Sequence, residues 1–261
     1  MSRNFTNLLI EDDIAIVEID HAPANTLSTA CIAELREVFK CLANDDKLKA
    51  IILTGAGRFF VAGADIKEFI DALGDDQKGL AMATAGQAIC NEIESMKKPV
   101  IAAINGACLG GGLELAMSCH YRIAVSAAKL GLPELQLGLI PTFGGTQRLS
   151  RITSTATALE LILTSKQLNG DEAKEAGLIQ LVVSPEDLLP TAKSIATAFV
   201  DGKSMTSITR AVECIIQGAN ESLVNGLERE RNNFAELFLT DDAKEGVHAF
   251  IEKRKPLFKH T

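Results

Sequence analysis

Two glutamates, Glu114 and Glu134, stand twenty residues apart in otherwise apolar sequence, as Leu113-Glu114-Leu115 and Leu132-Pro133-Glu134-Leu135. Burial among such neighbours disfavours the ionised carboxylate and raises its pKa towards neutrality, where it can take and give protons efficiently. Just ahead of Glu114, three consecutive glycines, Gly110 to Gly112, open a helix after an apolar strand. The first N–H groups of a helix have no intrahelical partner, and the dipole there favours negative charge. Ala64, in the turn Gly63-Ala64-Asp65, offers a second backbone N–H after another strand. With the N–H of Gly111 it makes a two-donor hole for a carbonyl oxygen becoming an enolate. The α-carbon of a thioester, a poor acid on its own, demands that help. Glu114 and Glu134 then act as general base and acid, one activating a water and the other delivering a proton to carbon.

Taken singly, each signal has a plainer explanation. A glycine triplet before a helix also makes a tight turn or a close packing contact. Glu114 fits as a first-turn glutamate favoured by the dipole, and Glu134 as another N-terminal helix acid after its proline. His120 and Tyr121 read as packing or capping residues, Cys108 and Cys119 as small buried hydrophobes, and EKRKPLFK (252–259) as a solvated basic tail. Only the combination is specific.

The composition narrows the classes. With 261 residues, the chain suits one large domain or one plus a small extension. A net charge of −8, no Trp and a single Tyr count against nucleic acid or an anionic membrane as the main partner. The six cysteines include no CxxC pair and the four histidines stand apart, so neither a disulfide framework nor a metal site is expected. No apolar run reaches membrane-spanning length, and the start lacks a signal core, so the expected location is cytoplasmic. Neither a GxxxxGK[ST] phosphate loop nor a GxSxG elbow is present.

The elements that must position the glutamates follow from periodicity. Residues 8–19 read as two short strands around Asp12-Asp13. Ser28 caps a helix with apolar positions Ile32, Leu35, Val38, Phe39 and Leu42. Residues 49–54 are a buried strand, 59–69 pass from strand through a glycine turn into helix, and 73–79 read as a mobile loop. A helix over about 80–97 leads into the strand 100–104 and the glycine triplet. Helices follow over 144–164 and 171–176, then a strand at 178–183, and helices alone from Pro185. The pattern is α/β with a helical C-terminal piece, and by itself it predicts an open doubly wound sheet.

The stretches FFVAGADIKEF, KKPVIAAINGACLGGGLELAMSCHYRIAV, LGLPELQLGLIPTFGGTQRL and TDDAKEGVHAFIEKRKPLFK resemble the enoyl-CoA hydratase/isomerase (crotonase) family, and within it the short-chain enoyl-CoA hydratases. The resemblance covers nearly the whole chain. It implies a spiral of repeated ββα units in place of the doubly wound sheet, with the active-site core over 1–195. It further implies a helical oligomerisation region over 196–261, packed into trimers or into hexamers made of two trimers.

Carried over residue by residue, the family's oxyanion-hole amides fall on Ala64 and Gly111 and its catalytic glutamates on Glu114 and Glu134. Positions contacting coenzyme A fall on Ala62, Asp65, Ile66 and Lys67, with Phe250 and Lys253 closing the site from the C-terminal region, across subunits. Coenzyme A belongs to the substrate, and no separate cofactor is implied. Only Gly111 of the triplet then has a named role; its neighbours are expected to make room for the thioester. Family members that keep only the second carboxylate are isomerases. Two glutamates favour hydration of a trans-2-enoyl-CoA to the (3S)-3-hydroxyacyl-CoA, as in fatty-acid β-oxidation. The rivals are an isomerase, a thioester hydrolase, a hydratase of branched or hydroxylated acyl groups, an RNA-binding member of the fold, and a purely structural trimer, against which the intact Glu114 and Glu134 count. Three departures stand out. Thr142 replaces a common glycine beside the water site, the loop His21 to Asn25 is short and lacks a basic residue, and Leu130 and Leu132 differ from the usual phenylalanine and glutamine.

Overall fold

The structure, a computed structural model, describes residues 3–260. Strands β1 (Thr6–Glu11) and β2 (Ile14–Ile19) form an antiparallel hairpin, and Asp12 takes the left-handed turn position at φ 54°. Helix α1 (Thr29–Ala43) starts where Ser28 accepts the Cys31 N–H, and it buries Ile32, Leu35, Val38, Phe39 and Leu42, the stripe its spacing predicts.

A strand, a shorter strand and a helical segment then repeat. Strand β3 (Ala50–Gly55) is followed by β4 (Phe59–Val61) and by helices α2 (Ile66–Ala72) and α3 (Asp76–Glu94). Next come β5 (Val100–Ile104), β6 (Ala107–Leu109) and α4 (Gly111–Ser118). The third round is β7 (Tyr121–Val125), β8 (Leu130–Gly131) and a 3-10 turn over Glu134–Leu137. Helices α5 (Gly145–Ile152), α6 (Thr155–Thr164) and α7 (Gly170–Glu175) lead to β9 (Leu181–Val183).

The longer strands join one sheet in the order β1-β2-β3-β5-β7-β9, parallel from β2 onward, while the short ones form a separate parallel sheet β4-β6-β8. This spiral of ββα units replaces the single doubly wound sheet that periodicity predicts. Each unit turns a corner between the sheets, and the corners are tight. A Cβ on Gly55 would sit 2.2 Å from the Phe59 carbonyl oxygen, and one on Gly106 2.0 Å from that of Arg58. Asn105 braces the corner by donating from Nδ2 to the carbonyls of Gly55 (2.7 Å) and Gly57 (2.9 Å).

Helix α8 (Leu188–Val200) straddles residue 195 and buries Ala192, Ala196 and Val200 against β2, β3, β5 and β7. Beyond it, α9 (Met205–Gly218) pairs with α10 (Leu223–Leu237), and Arg210 of α9 bonds Glu236 of α10 at 2.5 Å. Helix α11 (Asp241–Ile251) is tied back through a buried hydrogen bond of 2.6 Å from the Ser204 hydroxyl to Asp242. Phe234, Phe238, Leu239, Val247 and Phe250 remain exposed on this C-terminal part.

Two expected boundaries are corrected. The loop predicted over 73–79 shrinks to 73–75, because Asp75 accepts the N–H groups of Gln77 and Lys78 and starts α3 there. The helix predicted over 144–164 breaks at Thr153-Ser154, where the Ser154 hydroxyl caps a second helix. Among the described residues no helix is long and apolar enough to cross a membrane.

Candidate active site

All eight residues of α4 are buried, and Glu114 on its first turn is only 2% exposed. Its Oε1 accepts the Gly145 N–H at 2.6 Å. Burial pushes the Glu114 pKa up to about 7, the charge of Glu134 adds to the rise, and the amides of Gly145 and Phe143 with the Arg148 guanidinium oppose it. Glu134 opens the 3-10 turn after Pro133, and burial raises its pKa as well. Its Oε2 is buried with no hydrogen-bond partner among the described residues. Such an orphan costs about 1–3 kcal/mol, which a bound molecule or water can offset.

Both carboxylates line one cavity of about 380 Å³, together with Gly110, Gly111, Ala64 and Thr142. The rest of the wall is mainly apolar, with Ile66, Phe69, Met82, Leu137 and Phe143 prominent in it. Ala64 sits in a stretch held by the first unit: the Ala62 N–H donates to Ala24, Leu27 to Gly63, and the Asp65 N–H to Leu27. These bonds consume the groups on either side of the Ala64 N–H, which has no partner among the described residues. The Gly111 N–H is likewise unpartnered, while Gly110 next to it donates to the Gly131 carbonyl at 2.9 Å. Two free amides and two carboxyl groups with raised pKa values therefore share one apolar cavity.

The three glycines of the triplet adjoin different groups. A Cβ on Gly112 would lie 2.3 Å from the Val61 carbonyl oxygen, so this glycine lets α4 close on β4. Gly110 takes φ 52° and ψ −127°, and a Cβ there would meet Glu134 Oε1 at 2.8 Å. Val61 atoms fill the space beside Gly112, whereas Gly110 faces the Glu134 carboxylate and lines the cavity.

Other expected residues divide. Ala62 and Ile66 line the cavity. Asp65 caps α2, its carboxylate accepting the Lys67 N–H at 3.0 Å, and neither Asp65 nor the exposed Lys67 is part of the wall. Phe250, 85% exposed, and Lys253 lie at the end of α11, outside the cavity of their own chain. Thr142 is exposed at the cavity, and its carbonyl accepts from Gln87 Nε2 at 2.9 Å.

Sequence reasoning missed Gly145 and Arg148. The available signal was Gly144-Gly145 opening a second helix with no capping side chain, with Arg148 on its first turn. Among the described residues no group of three or more His, Cys, Asp or Glu side chains is placed to hold a metal ion.

Comparison with known proteins agrees with this architecture. The family profile described as enoyl-CoA hydratase/isomerase matches residues 10–261. A probable enoyl-CoA hydratase of Bacillus subtilis is 45% identical over 257 residues, covering 98% of this chain and 99% of that one. A short-chain-enoyl-CoA hydratase of Clostridium acetobutylicum is 41% identical over 263 residues, covering 98% and 97%. The crystal structure of an enoyl-CoA hydratase from Bacillus anthracis superposes with a TM-score of 0.92 at 35% identity, covering 99% of this chain and 100% of that one. With fold, cavity and full-length similarity in agreement, the chain belongs to the enoyl-CoA hydratase/isomerase family.

Proposed function

We propose that this protein hydrates trans-2-enoyl-CoA thioesters to (3S)-3-hydroxyacyl-CoA, as a step of fatty-acid β-oxidation. The observation that carries the reading is the pairing of Glu114 with Glu134 in one apolar cavity beside two unpartnered amides. In this reading the thioester oxygen accepts hydrogen bonds from the N–H groups of Ala64 and Gly111, which stabilise it as charge builds up. Glu114 takes a proton from water as the water oxygen attacks the β-carbon. Glu134 gives its proton to the α-carbon as the enolate collapses, and each carboxyl group needs its raised pKa for that exchange. The site requires no cofactor beyond the coenzyme A of the substrate, whose approach passes Ala62 and the Asp65-Ile66-Lys67 turn.

The exposed apolar C-terminal surface supports assembly into a trimer, or a hexamer of two trimers, with Phe250 and Lys253 reaching the coenzyme A of a neighbouring copy. On that view residues 1–195 form the catalytic core and 196–261 the oligomerising part, in a cytoplasmic enzyme. The test is product analysis by chromatography after mixing the protein with crotonyl-CoA and, separately, with a 3-enoyl-CoA. Rapid formation of (3S)-3-hydroxybutyryl-CoA with slow turnover of the 3-enoyl substrate is expected. Faster isomerisation than hydration would make it an isomerase instead, and release of free coenzyme A a hydrolase.

A further inference from the structure

The loop from Phe143 to Gly145 holds the base in place, and one arginine holds the loop. Arg148, on the first turn of α5 with its side chain 10% exposed, donates from Nη1 to the Phe143 carbonyl at 2.9 Å. Its other nitrogens are anchored on α3. Nη2 reaches Glu94 Oε2 at 2.8 Å and Asn91 Oδ1 at 2.7 Å, and Nε reaches Glu94 Oε1 at 3.3 Å. A planar guanidinium held at three nitrogens has little freedom, so the carbonyl it grips is fixed relative to α3. Two residues on, the Gly145 N–H donates to Glu114 Oε1 at 2.6 Å. We propose that Arg148 is a positioning residue for Glu114: anchored to Glu94 and Asn91, it fixes the loop whose Gly145 N–H holds one carboxylate oxygen and so orients the other for water.

The proposal rests on the reading of Glu114 as the base of a hydratase. The charged and titratable groups around that carboxyl are Glu134 from the 3-10 turn, Cys90 from α3 and Arg148 from α5. Cys90 is buried, which raises its pKa and keeps the thiol neutral, so it exerts no charge. Glu134 favours the protonated form of Glu114, and Arg148 the ionised one. Removing Arg148 therefore frees the loop and also raises the pH at which Glu114 ionises.

The experiment compares Arg148→Gln, Arg148→Lys and Glu94→Gln in the full chain with two readouts. The first is the pH titration of the Glu114 carboxyl carbon by NMR in ligand-free protein, with the resonance assigned by its loss in Glu114→Gln. Arg148→Gln should move the midpoint to higher pH, and Arg148→Lys, which keeps the charge, should return it towards wild type. The second readout is steady-state hydration of crotonyl-CoA. Arg148→Gln should lower kcat roughly 10- to 100-fold, the scale expected for a displaced catalytic group, with KM changing far less. Arg148→Lys should recover only part of that loss, because an ammonium lacks the fork. Glu94→Gln, which preserves shape and keeps the Arg148 charge, should lower kcat less without raising the midpoint, and serves if Arg148→Gln does not fold. Unchanged titration and kcat in Arg148→Gln, or unchanged kcat in Glu94→Gln, would overturn the proposal. So would a loss of kcat in Arg148→Gln with an unmoved titration and no recovery by lysine, since that marks a merely structural arginine. A titration shift in a protein that hydrates no enoyl-CoA would instead sink the hydratase reading and leave the positioning intact.

Discussion

A carboxyl group left 2% exposed and shifted to a pKa of about 7 is a stability cost, one that the proposed role of Glu114 as a base would explain. The sign follows from proton linkage. Below the ordinary carboxylate range Glu114 is neutral in both folded and unfolded chains. As pH rises towards 7 the unfolded chain releases its proton first, so native stability falls across that window and levels off above it. The full effect is about 3 kcal/mol at most. Glu114→Gln keeps an oxygen for the Gly145 N–H but has no proton to lose. Its unfolding midpoint, relative to wild type, should therefore rise between about pH 5 and about pH 8, while kcat for hydration falls on the order of 10²-fold or more. A midpoint difference that stays flat across that range would show that Glu114 ionises normally. The two glutamates and the amides of Ala64 and Gly111 are legible because unusual neighbours mark them: acids in apolar sequence, glycines at a helix start. Gly145 also stands at a glycine helix start, but neither its part nor that of Arg148 follows from its neighbours in sequence. One acts through a backbone amide, which every residue but proline has, and the other is an arginine whose side-chain partners, Asn91 and Glu94, lie more than fifty residues away.

At the scale of elements, the site depends on how closely α4 approaches β4. Gly112→Ala would place a methyl group 2.3 Å from the Val61 carbonyl oxygen, a backbone atom that cannot swing aside. The cost should be about 1–3 kcal/mol or more, seen as a lowered thermal midpoint. Gly79→Ala in α3 meets nothing within 4 Å and should be neutral or stabilising by up to about 1 kcal/mol. Equal effects at the two positions would refute the packing argument. The same closeness explains why periodicity read one sheet where there are two. The strands of the second sheet, β4, β6 and β8, span only two or three residues, too few for an alternating pattern to register. The helix start at Asp75 was hidden by its polar, acidic surroundings, which look like loop until the aspartate is seen capping.

For the molecule as a whole, the C-terminal helices leave more apolar surface open than one chain in water needs. Phe234, Phe238 and Leu239 on and after α10, with Val247 and Phe250 on α11, are each at least 60% exposed. Light scattering should give three or six times the mass of the chain. Phe238→Asp should dissociate the assembly and raise KM for enoyl-CoA, because Phe250 and Lys253 would no longer reach a neighbouring site. A monomeric wild type, or a dissociated variant with unchanged KM, would count against a shared site. Helix α8 read only as part of a helical tail, yet it covers the large sheet, because sequence order alone does not say which helix returns to the core.

The bracing of residues 62–65 by residues 24–27 has a consequence for how such a protein can diversify. The amides proposed as donors of the hole hang on the first unit and on β8, through Leu27 and Gly131. Much of the cavity wall, including Ile66, Phe69, Ala72, Leu73 and Met82, hangs instead on α2 and α3. Helix α3 serves both purposes, because its Asn91 and Glu94 anchor Arg148 while its Met82 lines the cavity, whereas α2 contributes Ile66, Phe69 and Ala72 to the wall. On the proposed function, replacing residues on α2 should therefore retune which acyl groups are welcome with less disturbance of the chemistry than replacing residues on α3.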